Sequence, residues 1–202
     1  MGTTAYPGPV PVEIRPAVAE LFDDLATMLG PKDPEAAACW CLSYRMSSGD
    51  LRMKQAASRA SVMRELCAAP VPPGVLAYRH DEVVGWCSVN PRSSYHRLVH
   101  SRVIPKVDDQ PVWSVVCFVV RPGYRRQGVA AALLDGAIAF ARDEGATVIE
   151  AYPADNNGKR LSGAFAYTGT VSLFAAAGFV VASETKSKTG GVPRVLMRRS
   201  VA

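Results

Sequence analysis

The stretch from Val112 to Ala130 constrains the fold most, because its residue pattern changes abruptly at a single turn. Up to Val120 it reads Val-Trp-Ser-Val-Val-Cys-Phe-Val-Val, the β-branched and aromatic composition of a largely buried strand. After the turn, Val129, Leu133, Ala137 and Phe140 recur at helical spacing, Ala130, Leu134, Ile138 and Ala141 widen the stripe, and Gly145 supplies a stop. Between them runs Arg121-Pro122-Gly123-Tyr124-Arg125-Arg126-Gln127-Gly128. A strand that feeds a helix through a basic, glycine-containing turn leaves the first helical N–H groups without partners, and the helix dipole adds partial positive charge there. Such a junction binds anions, a pyrophosphate among them. Gly128 lets the backbone approach a ligand closely, and Arg125 and Arg126 can add charge-assisted hydrogen bonds to phosphate. The turn has neither the Gly-Lys-Ser/Thr of a P-loop nor the Gly-x-Gly-x-x-Gly of a dinucleotide fold.

Composition narrows the class further. With 202 residues and 49% hydrophobic content the chain can form one good core but hardly two. The reading is a loose, proline- and glycine-interrupted tail over residues 1–11 and one domain over residues 12–202. The net charge of +5 is dispersed instead of gathered into an arm or stripe, which favours a cationic ligand groove over nucleic-acid binding. No apolar run approaches the ~20 residues of a membrane helix, and the start of the chain lacks a signal-peptide core, so the expected location is the cytoplasm. The five cysteines at 39, 41, 67, 87 and 117 show no disulfide-like regularity and read as reduced thiols. Cys39-Trp40-Cys41 lacks the second ligand pair of a structural zinc site, so no metal is expected.

Along the chain, Val12–Arg15 reads as a first strand, followed by a helical stripe of Val18, Leu21, Phe22, Leu25 and Leu29 ending at Gly30-Pro31. A second helix is expected from about Gln55 to Cys67. Gly74 to Tyr78 and Val83 to Val89 form a hairpin around His80-Asp81-Glu82. A long basic connection, Asn90 to Gln110, precedes the central strand. After the helix come a strand at Thr147 to Tyr152, a polar loop from Pro153 to about Gly169, a short helix towards Gly178, and an antiparallel pair, Phe179 to Thr185 and Arg194 to Met197.

The motif Arg125-x-x-Gly128-x-Ala130, preceded by Val120-x-Pro122-x-x-Arg125 and followed by Val171-Ser172-Leu173-Phe174-Ala175-Ala176-Ala177-Gly178-Phe179, resembles the acyl-CoA signature of the GNAT superfamily of N-acetyltransferases. The resemblance covers about residues 12 to 200. It implies an α/β fold: a mixed, mostly antiparallel central sheet with helices on both faces and a splayed cofactor wedge. It also implies acetyl-CoA as acyl donor. Its pantetheine arm would pair with Phe118, Val119 and Val120, and its pyrophosphate would lie against Arg125, Arg126, Gln127, Gly128, Val129, Ala130 and Ala131. The implied reaction is direct acetyl transfer to a primary amine, which must lose a proton before or during attack.

Two positions depart from the family pattern. Phe174 stands where a tyrosine usually serves the leaving thiolate, so Tyr167, Tyr152 or a water would substitute, or no acid is needed. Ser114 stands where some members place a glutamate base, and could order a water instead. Glu150 and Asp155 remain as base candidates, Asp108 and Asp109 could attract a cationic substrate, and His96 and His100 lie in the basic connection. Trp40, Tyr44, Tyr95 and Trp113 are either pocket wall or core. The expected acceptor is a small-molecule amine: a metabolite, an amino acid derivative or an antibiotic. A protein lysine or N-terminus, and a noncatalytic acyl-CoA-binding module, stay open, and a homodimer follows from the resemblance alone.

Overall fold

Alternation along the strands builds a sheet with a different apolar layer on each face. The computed structural model describes residues 11–33, 36, 38–54, 56–159 and 161–202. The expected tail over residues 1–11 lies outside them but for its last residue. Strands β1 (Glu13–Pro16), β2 (Gly74–Arg79), β3 (Glu82–Pro91), β4 (Trp113–Val120), β5 (Val148–Ala151), β6 (Val180–Thr189) and β7 (Val192–Ser200) form a seven-stranded sheet in the order β1-β2-β3-β4-β5-β7-β6. Only β4 and β5 run parallel. Helices α1 (Phe22–Leu29), α2 (Ser48–Met53), α3 (Ala56–Cys67), α4 (His96–Val99), α5 (Val129–Asp143) and α6 (Val171–Ala176) cover it.

In β2, Val75 and Ala77 join the apolar cluster formed with α5, whereas Leu76 and Tyr78 join Phe22, Leu25 and Met28 of α1 on the other side. The stripe read from α5 is buried at Val129, Leu133, Leu134, Ala137, Ile138, Phe140 and Ala141. Gly136 belongs to that face for a steric reason. A Cβ at this position would lie 2.4 Å from Cγ2 of Ile14, so the missing side chain lets β1 pack directly against the helix. No helix among the described residues is long and apolar enough to cross a membrane.

The basic connection is more structured than its composition suggests. β3 extends through Pro91, a 3-10 turn occupies Arg92–Ser94, and α4 follows. Tyr95 and Leu98 bury their side chains, and the Arg97 amide donates to the Tyr44 carbonyl at 2.9 Å, tying the segment to the Cys39–Met46 region. Helix α2 leaves no periodic signal because none of its residues is buried; Ser47 caps it by accepting from the Asp50 amide at 3.1 Å. Strands β6 and β7 run longer than their apolar cores because most of β6 is an exposed, polar edge.

Candidate active site

Strand β4 is bent at one residue, and the bend opens the sheet. Ser88 of β3 pairs with Cys117 and Val89 pairs with Val115, which leaves Val116 as an extra residue on β4. Such a bulge bends its strand and increases the local twist. Accordingly β5 pairs with β4 only at Trp113, Ser114 and Val115. Beyond Ala151 the chain stays with β7, and Ala154 bridges Arg194 on one side and Thr170 on the other. The half of β4 beyond the bulge therefore has a strand partner on the β3 side alone, and the 3-10 turn Ala166–Thr168 lies alongside its open edge.

The direction of each backbone group on that edge follows from the ladder. The Arg121 amide donates to Val84 of β3, so residues of the same parity, Val119 and Cys117, also face β3. Phe118 and Val120 turn their N–H and C=O groups to the opening. Val119 has its backbone committed to β3 and packs its side chain against the α1 layer. Arg125 closes part of the mouth: its Nε donates to the Val120 carbonyl at 3.1 Å, and its guanidinium lies beside Gly163 of the polar loop. That role differs from the phosphate contact its position in the motif implies.

At the top of the opening, the turn after β4 presents unoccupied donors. None of the amides from Arg126 to Ala131 donates a well-formed hydrogen bond to another described residue, and α5 begins at Val129 without a side-chain cap. Gly128 holds φ +82°, and a Cβ built there would meet nothing within 4 Å. The cradle is braced from beneath. Arg79 Nη1 donates to Gln127 Oε1 at 2.6 Å and Nη2 to the Gln127 carbonyl at 2.8 Å, while Gln127 Nε2 donates to the Gly123 carbonyl at 2.8 Å. The Gln127 side chain is thus structural, and Arg126 is exposed with φ +58°. Orphaned amides, a helix N-terminus and an exposed arginine suit a pyrophosphate.

On the face away from α5, Ser114, Tyr152 and Glu150 form one buried chain. Tyr152 donates to Glu150 Oε2 at 2.8 Å, so the 2.9 Å contact between Ser114 and Tyr152 carries the serine proton towards the tyrosine. Burial, with the nearby Glu150 charge, pushes the Tyr152 hydroxyl far above its ordinary value, so it stays protonated. Glu150 is fully buried and clamped: Arg198 Nε donates to Oε1 at 2.8 Å, and Arg92 Nε stands 3.5 Å from Oε2. Its Oε2 is linked through Tyr152 to Ser114. Arg198 is held in turn by Asp108 at 3.0 Å. Sequence spacing carried no signal for this clamp, whose partners lie far apart in the chain.

Tyr167 is half-buried beside Cys117 and the Tyr44–Tyr95–Tyr152 cluster. Burial raises its hydroxyl above the ordinary range, Tyr44 adds to the effect, and Arg194 and Arg97 oppose it. Its hydroxyl makes no hydrogen bond to another described residue, which leaves a proton available next to the open half of β4. Phe174 is fully buried between Phe118 and Phe179 and is a core residue.

The remaining candidates separate cleanly. Trp40 stacks on Phe22 in the α1 layer and Trp113 meets Phe140 edge-on in the α5 layer, so both are core. Tyr44 and Tyr95 face the Tyr152 side. His96 and His100 stack on each other at 4.2 Å on the exposed side of α4. Asp109 pairs with Lys106, and the Asp155 amide donates to the Pro193 carbonyl at 2.8 Å. A cleft of about 440 Å³ lies at the foot of β4, lined by Arg92, Asp108, Trp113, Glu150 and Arg198. A larger one of about 530 Å³, over α3, is lined mainly by apolar groups and Arg45 and holds no acid or base of use to a proton transfer. Cys41 accepts from Trp86 Nε1 at 3.1 Å, and all five cysteines are free thiols.

The same architecture recurs in solved structures. The acetyltransferase of the GNAT family from Streptococcus pneumoniae superposes with a TM-score of 0.54 at 14% identity, covering 95% of this chain and 100% of its own. yncA from Salmonella typhimurium, solved with its cofactor acetyl-CoA, gives 0.54 at 16% identity over 95% of this chain and 94% of its own. The PaiA N-acetyltransferase from Thermoplasma acidophilum, in complex with coenzyme A, gives 0.51 at 14% identity over 94% and 99%. No curated protein sequence matches the chain. The model of the acetyltransferase (GNAT) family matches residues 36–161, which contain the open half of β4, the amide cradle and the Ser114–Tyr152–Glu150 chain; the protein belongs to that family.

Proposed function

We propose that the protein transfers acetyl from acetyl-CoA directly to a primary amine of a small molecule. The observation that carries this reading is the set of backbone groups without a strand or helix partner, from Phe118 and the Val120 N–H on the open edge of β4 to the amides of Arg126–Ala131. Acetyl-CoA supplies a thioester whose acyl carbon an amine can attack and whose thiolate leaves. The amides from Arg126 to Ala131, with Arg126, hold the pyrophosphate, and Phe118 and Val120 pair with the pantetheine arm.

Ser114 relays the amine's proton, directly or through a water: as it takes that proton its own passes to Tyr152, and the tyrosine's passes to the Glu150 carboxylate, which ends the step protonated. Glu150 is the base at the end of this relay and does not itself touch the amine. Tyr167 is the proton donor nearest the open edge and serves the leaving thiolate in place of Phe174. The rim of the acceptor side, made by Tyr44, α4 and residues 166–168, is built by short segments, which suits a small molecule.

The test is calorimetric titration with acetyl-CoA, followed by CoA-release assays over a panel of small amines and lysine peptides. Saturable binding with turnover of small amines is expected. Binding without turnover of any amine would reduce the site to an acyl-CoA-binding module, and preferential turnover of peptides would move the acceptor to proteins.

A further inference from the structure

Arg194 of β7 is a buried cation without a counter-charge. It is 4% exposed, its Nε donates to the Tyr152 carbonyl at 2.7 Å, and its Nη1 donates to Ser187 Oγ at 3.3 Å. Its Nη2 is buried with no hydrogen-bond partner, and among the described residues no carboxylate lies within ion-pairing distance of it. Arg198, by contrast, is matched by Glu150 and Asp108. Arg59 is also buried without a carboxylate and with its Nε unbonded, but both of its terminal nitrogens are taken by the Ala38 and Leu51 carbonyls, whereas a terminal nitrogen of Arg194 is left open. A guanidinium removed from water and left partly unbonded is costly, so it calls for an anion.

Its position says where that anion belongs. Arg194, Leu196 and Arg198 alternate onto the face of the sheet that carries Tyr152 and Glu150, and Arg194 bridges Ala154 where β4 and β5 part. Arg97 approaches from the opposite wall. It is exposed, in no ion pair among the described residues, and lies 5.8 Å from the centre of the Tyr44 ring. Tyr152, which accepts from Arg194, and Tyr44, which lies under Arg97, belong to one cluster against which Tyr167 and Cys117 pack. Glu150, the buried acid on this face, already has its oxygens engaged by Arg198, Arg92 and Tyr152.

Resting on the acetyl-transfer reading, we infer that the acceptor is an amine bearing a carboxylate or phosphoryl group, whose anion is bound by Arg194 and approached by Arg97. The fork of a guanidinium fits either anion, and both arginines repel the second positive charge of a polyamine. Tyr152 lies between the two residues, its carbonyl accepting from Arg194 and its hydroxyl meeting Ser114.

The experiment compares β-alanine with β-alaninamide and 2-aminoethylphosphonate with ethanolamine, with rates referred to the neutral-amine fraction. The wild type is expected to favour the anionic member of each pair by roughly ten- to a hundredfold in kcat/KM, the range of a charged hydrogen bond. Arg194→Met should abolish the preference, Arg194→Lys should keep part of it, and Arg97→Ala, an exposed substitution that leaves the core intact, should shrink it several-fold. Equal use of both members, turnover confined to neutral or cationic amines, or a preference that survives Arg194→Met and Arg97→Ala overturns the inference. Acetyl-CoA is titrated into each protein in parallel. If the wild type fails to bind it, the acetyl-transfer reading falls; if it binds and shows no preference for anions, only the acceptor assignment falls.

Discussion

Substituting Gly128 separates the charge of the amide cradle from its shape. The residue holds φ +82° and ψ −7°, and the space a side chain would enter is empty of protein atoms within 4 Å. Asparagine and aspartate tolerate this left-handed region better than other side chains, so each should cost only about 1 kcal/mol of stability. The two are nearly the same size and differ in one negative charge. At about 4–5 Å from a phosphate, one pair of unit charges repels by about 1 kcal/mol in water and about 4 kcal/mol at an effective dielectric of 20. Two phosphate charges at the low end of that range give about 2 kcal/mol, a loss of roughly 20-fold or more in affinity. Calorimetric titration of CoA should therefore find Gly128→Asn within about fivefold of the wild type and Gly128→Asp at least roughly 20-fold weaker than Gly128→Asn, the gap narrowing as salt screens it. Equal CoA affinity of the two variants at low salt would refute the placement of phosphate at this turn.

Tyr167→Phe should lower kcat by about tenfold while leaving the KM for acetyl-CoA unchanged, because the lost group acts on departure of the thiolate and not on binding; steady-state kinetics with a matched amine checks it. Glu150→Gln should cost about 3 kcal/mol or more in urea denaturation, since it leaves Arg198 and Arg92 without their buried partner. Acid should destabilise the fold in a defined window. Tyr124 and Arg121 hold Glu82 below its ordinary 4.5, and Arg198 holds Asp108 below 3.8. The folded state thus binds these protons less readily than the unfolded chain, so the stabilisation is present above those values and is lost as pH falls through the lower folded ones. Thermal melts of Glu82→Gln/Asp108→Asn should be flatter than those of the wild type between about pH 5 and about pH 3. A disulfide reagent at about pH 8 should react quickly with Cys39 alone, because Cys41, Cys67 and Cys87 are buried and burial pushes Cys67 up to about 11; CoA should slow the reaction of Cys117, which lies on the open half of β4.

The parts of the site that the sequence displays are those made by neighbouring residues. A β-branched run, a basic turn and an alanine-rich stripe are all local, and they mark β4, the cradle and α5. The bulge at Val116 leaves no such mark, since an extra residue in a strand appears only as a change in pairing register with β3. Glu150 reads as an available carboxylate in the sequence; Arg198 and Arg92, brought in by β7 and by the turn after β3, make it an anchor. Trp40 and Trp113 could not be told from pocket residues by type, and their faces are set by partners at Phe22 and Phe140. Arg194 carried no signal at all. In a strand with three arginines, the one that is buried with a terminal nitrogen unbonded is distinguishable only by the neighbours the fold gives it.

The bulge also bears on how the protein avoids its own kind. Parting β4 from β5 creates strand edge in the middle of the sheet, and an open edge is a template for pairing with any extended chain, including another copy. Edges on the outside of a sheet are blunted with proline, charge or irregular pairing, as the polar run of β6 illustrates. The inner edge cannot be treated that way and still accept a ligand through its backbone. It is guarded by access instead: Arg125 caps the Val120 carbonyl, the segment from Gly163 to Thr168 lies across the approach, and what remains admits a thin, flexible arm more readily than a strand with side chains on both faces.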